Sequence, residues 1–494
     1  MRSRRAAERI ALGGVLAAAL FLRVRYLSAG VPYAVGIDEP AIVDRALLIL
    51  RTGSWHPRGF DYPSLVVYLH TCVSAARFLW GASRGEWSSL AGYEIAAVYG
   101  AGRLVTALVG TATVWLVWRL GRDLHSRILG LVAAAELAVY PMSVRESHFI
   151  LTDVPTAALV LVALLLAVRA GRVRTIGAYA LAGCGAGLAA AAKYNGIVAA
   201  VGIAVVWILE DRRSADRGWK ALAAIVAIPA TFLVVVPYAF LDMPGFLNGV
   251  AAQLARFAPT GPAGGAPPWR AYLIHLSLAS ALWLPLAAAG AAAVVWRRER
   301  LRAWAIPAAF VIAYFYVLAS HRVVFGRYAL PLVPVLCLFA AVPIVEAGRW
   351  VGERRGWRAG WVAGAVVFTA VMTPLVQGSL EWLESYRRPD TRVLAGRWMD
   401  AALPDGTRLV VENSGPTNLA AAGVEVVDRP NRLENSPDAY LKQGVSVVVM
   451  APYSKGALGQ YGALLAAGRI VFEADPAADR WGPYIRVVQL DPPK

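Results

Sequence analysis

The first residues whose types could do chemistry are an adjacent acid pair, Asp38 and Glu39, in the stretch from Gly36 to His70. A half-apolar helical pattern follows them through Ile42, Ala46, Leu47, Ile49 and Leu50. Gly53 breaks that pattern, and Trp55, Tyr62 and Tyr68 supply aromatic anchors of the kind found at membrane interfaces. The bland reading of such a pair is two solvated loop acids, since charges normally sit in water. Further along come Asp153 in TDVP, Lys193-Tyr194-Asn195, His321-Arg322 and Arg327-Tyr328, with Arg23 and Arg25 ahead of the pair and Arg103 between it and Asp153. A carboxylate can take the proton from a hydroxyl, and cationic side chains can stabilise a phosphate as it departs. The chemistry that fits is transfer of a group from a lipid phosphate to an acceptor hydroxyl. No Ser/His/Asp or Cys/His arrangement is visible, which argues against covalent and hydrolytic routes.

Each of these residues also has a plain structural reading. Thr152 could cap a helix with Asp153 and Pro155 in its first turn, where an acid is favoured by the dipole. Lys193 could simply snorkel from the end of a span. Glu136, well inside a span, is a functional candidate by default, but pairing with an arginine of a neighbouring helix is an equal alternative. We leave it out of the site.

The elements that must position these side chains are membrane helices. The chain has 494 residues, 58% hydrophobic and only 16% charged. Roughly eleven apolar runs approach the length that crosses about 30 Å of hydrocarbon. The first follows the basic N-terminus as an uncleaved span beginning in the cytoplasm. Residues 64–80 either lie in the interface or dip further into the bilayer. Clear spans follow over residues 96–120, 128–140, 152–168, 176–192, 196–209, 222–240, 272–296, 304–319, 330–345 and 361–376.

The formal net charge is +17, but the arginines cluster in short alternate loops, as topology signals do. Nothing resembles a nucleic-acid groove, so no nucleic-acid partner is expected. The positive-inside rule places Asp38, Asp153, Lys193, Arg322, Arg327 and the C-terminal region together on the outer side of a cytoplasmic membrane. Arginines that lie there against the rule call for an acid or a phosphate. A Gly/Pro-rich loop at 259–268 on that face either orders over a substrate or is a loose connector. The three cysteines, Cys72, Cys184 and Cys337, suit neither a disulfide framework nor a metal spacing. Glu39 and His56 could approach each other, yet no ligand cluster supports a divalent metal, and no cofactor is expected.

From about residue 379 the composition changes. A helix is expected at 391–402, and strands at 408–412, 424–427, 445–450, 470–473 and 485–490. Helices at 437–442 and 456–467 intervene. The expected organisation is a transmembrane catalytic domain over 1–378, with a first outer loop at 28–95, and an outer α/β domain over 379–494. The α/β part has no GxGxxG or P-loop pattern, so no nucleotide site is expected.

In order along the chain, Asp38-Glu39, Tyr62-Pro63, the long segment from Arg103, TDVP and Arg327-Tyr328-Ala329-Leu330-Pro331 resemble the GT-C class of integral-membrane glycosyltransferases. The resemblance is to glycosyltransferase family 39, with protein O-mannosyltransferases and lipid A aminoarabinose transferases as relatives, and covers roughly the first 380 residues. It implies an inverting transferase that uses a polyprenyl-phosphate-linked sugar donor at the outer membrane face. It also implies Asp38 as catalytic base, Glu39 as its orienting or acceptor-positioning neighbour, and Asp153 as a second-loop acid. Lys193, Arg322 and Arg327 become contacts to the carrier phosphate, with Tyr62 and Arg103 on the substrate side. The tail departs from the β-trefoil of eukaryotic O-mannosyltransferases, so the acceptor stays open among glycan, lipid and protein. The rival reading is a transporter or flippase of a lipid-linked anionic substrate; no internal repeat of the kind such proteins carry is seen. A third is a non-catalytic outer-face assembly protein whose soluble domain does the binding.

Overall fold

The computed structural model describes residues 2–36, 38–211, 213–257, 267–296, 301–321, 323–419 and 423–490. Seven described helical stretches are long and apolar enough to cross a membrane: Leu65–Ser83, Ile95–Leu124, Asp153–Val173, Arg217–Val235, Leu301–Ser320, Gly326–Arg355 and Trp357–Arg387. Shorter apolar helices occupy Ile176–Ala192, Tyr194–Ile208 and Trp283–Trp296. The chain is an integral membrane protein, a polytopic helical one with a small C-terminal α/β region.

Three details differ from the hydropathy reading. The single span expected at 272–296 is two helices, Pro268–Ser277 and Trp283–Trp296. The turn between them delivers the Trp283 indole N–H to Glu136 Oε2 at 3.0 Å. Glu136 therefore has an indole donor where an arginine was one expectation. Gly326–Arg355 and Trp357–Arg387 extend well past the expected 330–345 and 361–376. Hydropathy marks only their apolar turns, whereas the helical hydrogen-bond ladder continues through the charged ones.

The chain divides into two compact units. The first comprises Met1–Arg25, Ile42–Ala76 and Gly102–Leu380. Its helices pack through small residues, as expected where lipid removes the hydrophobic drive and association rests on close contact. Ile176–Ala192, IGAYALAGCGAGLAAAA, is the clearest case. A Cβ at Gly187 would lie 2.5 Å from the Ile228 carbonyl oxygen, and one at Gly183 2.7 Å from that of Ala224. On the other side, a Cβ at Gly185 would lie 3.0 Å from Ala163 Cα. The helix is thus pressed between Arg217–Val235 and Asp153–Val173. Arg174, in the left-handed conformation, and the Thr175 cap close a tight antiparallel turn between Asp153–Val173 and Ile176–Ala192. Their far ends, which carry Asp153 and Lys193, consequently return to the same side of the unit.

The second unit comprises Tyr26–Ala41, Arg77–Ala101 and Glu381–Lys494. Its sheet contains β1 (Arg408–Val411), β2 (Glu425–Asp428), β3 (Val447–Met450), β4 (Gly468–Ala474) and β5 (Ile485–Leu490). The order is β2-β1-β3-β5-β4, with β1 parallel to β2 and β3, and β5 antiparallel to β3 and β4. Alternate residues face opposite sides of a strand, which gives the sheet two cores. Leu409, Val411, Val447, Val449, Ile485 and Val487 pack with Ala395 and Met399 of the Thr391–Ala402 helix. Val410, Val448, Met450 and Val488 pack with Tyr440, Tyr461 and Leu464 on the other side. The first core also includes Tyr33, from the opposite end of the chain.

Candidate functional site

In the first unit, Asp153 opens the Asp153–Val173 helix and is almost fully buried. Thr152 occupies the N-cap position and Asp153 the first turn, where the dipole favours an acid, although the Thr152 side chain makes no capping bond. Lys193 Nζ lies 2.6 Å from Asp153 Oδ1, and Arg327 Nε lies 3.6 Å from Oδ2. The side chains of Asp153, Lys193 and Arg327 are 4, 12 and 21% exposed, so the acid is shielded while both cations keep partial exposure.

Lys193 does not snorkel. It turns inward as the C-cap of Ile176–Ala192, and its Nζ sits 3.9 Å from the centre of the Tyr328 ring. Ile176–Ala192 has 17 residues against 21 in its partner, roughly 6 Å shorter at 1.5 Å per residue. The four-carbon stem of lysine spans such a gap. Arg327 enters from the 3₁₀ turn Gly326–Leu332 at the start of the 30-residue Gly326–Arg355 helix.

Beside this cluster, buried Glu146 accepts from Arg145, with an ion-pair distance of 2.5 Å. Burial pushes the Glu146 carboxyl above its ordinary value, and the Arg145 guanidinium acts against that shift; Asp153 and Arg327 also bear on it. Among the described residues, Lys193, Arg327 and Arg145 set three cations against two buried acids, Asp153 and Glu146. That arrangement suits an anion, because buried charges need partners.

A second group flanks Lys193. Tyr194 donates its hydroxyl to the Phe60 carbonyl at 2.8 Å. Phe60 is seated where Gly249 lacks a side chain: a Cβ there would lie 2.6 Å from Phe60 Cβ. His56 Nε2 meets Asp242 Oδ2 at 2.9 Å, and Gly245 N–H donates to Asp242 Oδ1 at 3.1 Å. These two donors, the histidine first, hold the Asp242 carboxyl below the usual carboxylate range. Arg45 pairs with Asp61 at 2.6 Å. Together these contacts fix the stretch between Gly53 and Leu65, including half-buried Tyr62. Asp242 escaped the sequence reading, although a lone acid between the apolar runs of Ala239–Leu241 and Met243–Phe246 is a signal.

Arg103 is buried, with its guanidinium 5.7 Å from the centre of the Phe149 ring. Arg23 donates to the Leu137 and Ala138 carbonyls and to Ser143 Oγ, at the C-terminal end of the Arg127–Ala138 helix where carbonyls lack their intrahelical partners. Its partner is therefore a helix terminus. Arg322 lies outside the described residues, as does most of the Gly/Pro-rich loop. Among the described residues, no three His, Cys, Asp or Glu side chains are grouped to hold a metal ion.

In the second unit, Asp38 is half-buried in a turn immediately before the Glu39–Thr52 helix. Glu39 is fully buried. Its Oε2 accepts from Gly36 N–H at 2.7 Å, while its own N–H donates to the Gly36 carbonyl at 3.0 Å. Asp38 is thus bracketed by a doubly bonded turn.

Comparisons with known proteins agree on the fold. Residues 87–238 match the family described as dolichyl-phosphate-mannose-protein mannosyltransferase. The crystal structure of ArnT from Cupriavidus metallidurans bound to undecaprenyl phosphate superposes with a TM-score of 0.58 at 15% identity, covering 96% of this chain and 97% of that one. The archaeal oligosaccharyltransferase AglB from Archaeoglobus fulgidus, in complex with an inhibitory peptide and a dolichol-phosphate, gives 0.61 at 14% identity, covering 91% and 70%. At such identities the likeness is one of fold. No curated protein matches the sequence.

Proposed function

We propose that this chain, a membrane protein of the GT-C glycosyltransferase class whose donor is a polyprenyl-phosphate-linked sugar, transfers that sugar to an acceptor hydroxyl at the outer face of the cytoplasmic membrane. The acceptor hydroxyl gives its proton to Asp38 as its oxygen bonds to the anomeric carbon. The bond from that carbon to the carrier oxygen breaks, and its electron pair leaves with the carrier phosphate. A single displacement inverts the anomeric configuration. Lys193 and Arg327 neutralise the charge that develops on the phosphate, and Asp153 holds both cations in position. Glu39 holds the turn that presents Asp38. The N-terminus then lies in the cytoplasm and the C-terminal domain outside, an orientation that the basic alternate loops support.

The observation that carries the reading is the Asp153–Lys193–Arg327 cluster: two inward-turned cations on one buried acid, in a fold whose solved members include an ArnT bound to undecaprenyl phosphate. Preorganised cations aimed at developing charge are typically a large part of catalysis in a water-poor site.

The test is transfer from a panel of radiolabelled polyprenyl-phosphate sugars in proteoliposomes, comparing wild type with Asp38→Asn. Asparagine keeps the size but cannot accept the proton, so the rate should fall about 10²–10⁴-fold. Equal transfer by both proteins would remove Asp38 as the base. No transfer from any donor by wild type, with lipid flipping in its place, would support the transporter reading.

A further inference from the structure

We infer that the C-terminal α/β domain works as the anchor of the acid-bearing loop, with Tyr33, Thr417 and Asn418 as positioning residues for Asp38. The inference rests on the proposed role of Asp38 as base and assigns a task to a domain that carries no nucleotide motif. Its warrant lies within the second unit. Tyr33 belongs to the hydrophobic core formed by β1, β3, β5 and the Thr391–Ala402 helix. Its ring lies against Gly396, where any Cβ would collide with it, and its hydroxyl donates to Asp400.

The backbone around Tyr33 is also held. Thr417 N–H donates to the Tyr33 carbonyl at 2.8 Å. The Pro32 carbonyl accepts from Thr417 Oγ1 at 3.0 Å and from Asn418 Nδ2 at 2.7 Å. Two consecutive loop carbonyls are thus satisfied by two consecutive domain residues, the first almost 400 positions away in sequence. Asn418 makes its bond from a left-handed backbone conformation at φ 55°, one that asparagine tolerates better than most residues. Only two residues, Ala34 and Val35, separate Tyr33 from Gly36, where the Glu39 carboxylate closes the turn around Asp38. With its position defined at Pro32-Tyr33 and again at Gly36, the loop has little freedom left. A chain anchored this close to a base transmits displacement directly, and misplacement by about 1 Å can cost about 10²-fold in rate.

The experiment uses the full-length protein in proteoliposomes. Tyr33→Ala would empty part of the domain core and is unsuitable alone, so the test variant is Thr417→Val/Asn418→Gly. Valine removes the hydroxyl at similar volume, and glycine keeps the left-handed conformation without the amide donor. Hydrogen exchange reads the loop, and steady-state transfer separates kcat from donor KM. Exchange at residues 26–41 should rise while β1, β3 and β5 keep their protection. kcat should fall about 10–100-fold with donor KM within about twofold and the shape of the pH profile unchanged. Thr417→Ser, which retains the hydroxyl, should behave as wild type. Faster loop exchange with kcat unchanged would overturn the inference, as would unchanged exchange. If Asp38 is not the base, Asp38→Asn will retain activity while the variant still loosens the loop, so the two failures are separable.

Discussion

If Asp153 acts by holding Lys193 and Arg327, then Asp153→Asn and Lys193→Met must not have independent effects. Two unit charges about 4 Å apart attract by about 4 kcal/mol at the effective dielectric typical of proteins, before desolvation is subtracted. Removing one partner of a buried pair commonly costs about 3–5 kcal/mol, because the other charge is left uncompensated. Here Arg327 remains 3.6 Å from the acid after lysine is lost, so the low end, about 3 kcal/mol, is the expectation. Asp153→Asn should cost about the same, since it leaves two cations facing each other without their acid. The double variant should then be no worse than the poorer single one, with a coupling energy of about 2–3 kcal/mol, near the top of the usual range. Thermal unfolding in detergent gives the stability cycle, and transfer rates in proteoliposomes give the functional one. In the functional cycle, Asp153→Asn should lower the rate less on the Lys193→Met background than in wild type, because only Arg327 is then left for the acid to hold. Losses that multiply instead would refute the reasoning and assign Asp153 a proton-transfer role of its own.

Two further predictions follow from the same geometry. An acid whose folded pKa lies above its unfolded value loses folding stability as pH rises through that interval; burial does this to Glu146, starting from 4.5. Glu146→Gln should therefore melt higher than wild type at neutral pH and converge with it near pH 4.5, as read by melting temperature from pH 4.5 to 7.5; the opposite slope would mean that Arg145 outweighs burial. Gly187→Val would force side-chain atoms against the Ile228 carbonyl and Thr231, at about 1–3 kcal/mol, whereas Gly177→Val meets nothing within 4 Å. Detergent-stability assays should separate the two variants, and a Gly187→Val protein as stable as the Gly177→Val control would contradict the close packing of Ile176–Ala192 against Arg217–Val235.

Local patterns carried much of the fold. Alternation and turn residues in the tail predicted a helix at 391–402 and strands at 408–412 and 485–490, and the structure has Thr391–Ala402, Arg408–Val411 and Ile485–Leu490. These elements depend on periodicities of two and 3.6 residues that can be read within a short window. Hydropathy likewise located the membrane helices, failing where a turn at 278–282 interrupts an apolar run without a strong breaker. The acids and cations of the candidate cluster were also visible, because charges flanking apolar runs stand out in any composition scan.

By itself, the sequence determined that this is a helical membrane protein with an α/β appendage, and which polar residues border its spans. Tertiary structure alone decided their partners. Asp153 meets Lys193 because glycine-mediated close packing and a tight turn set their two helices side by side, and Arg327 joins them from the start of a third. Glu136 takes an indole donor from Trp283, and Tyr33 joins a core whose other residues begin at Ala395. Hydropathy and periodicity are properties of neighbouring residues, whereas an ion pair or a shared core depends on the register between segments tens to hundreds of positions apart.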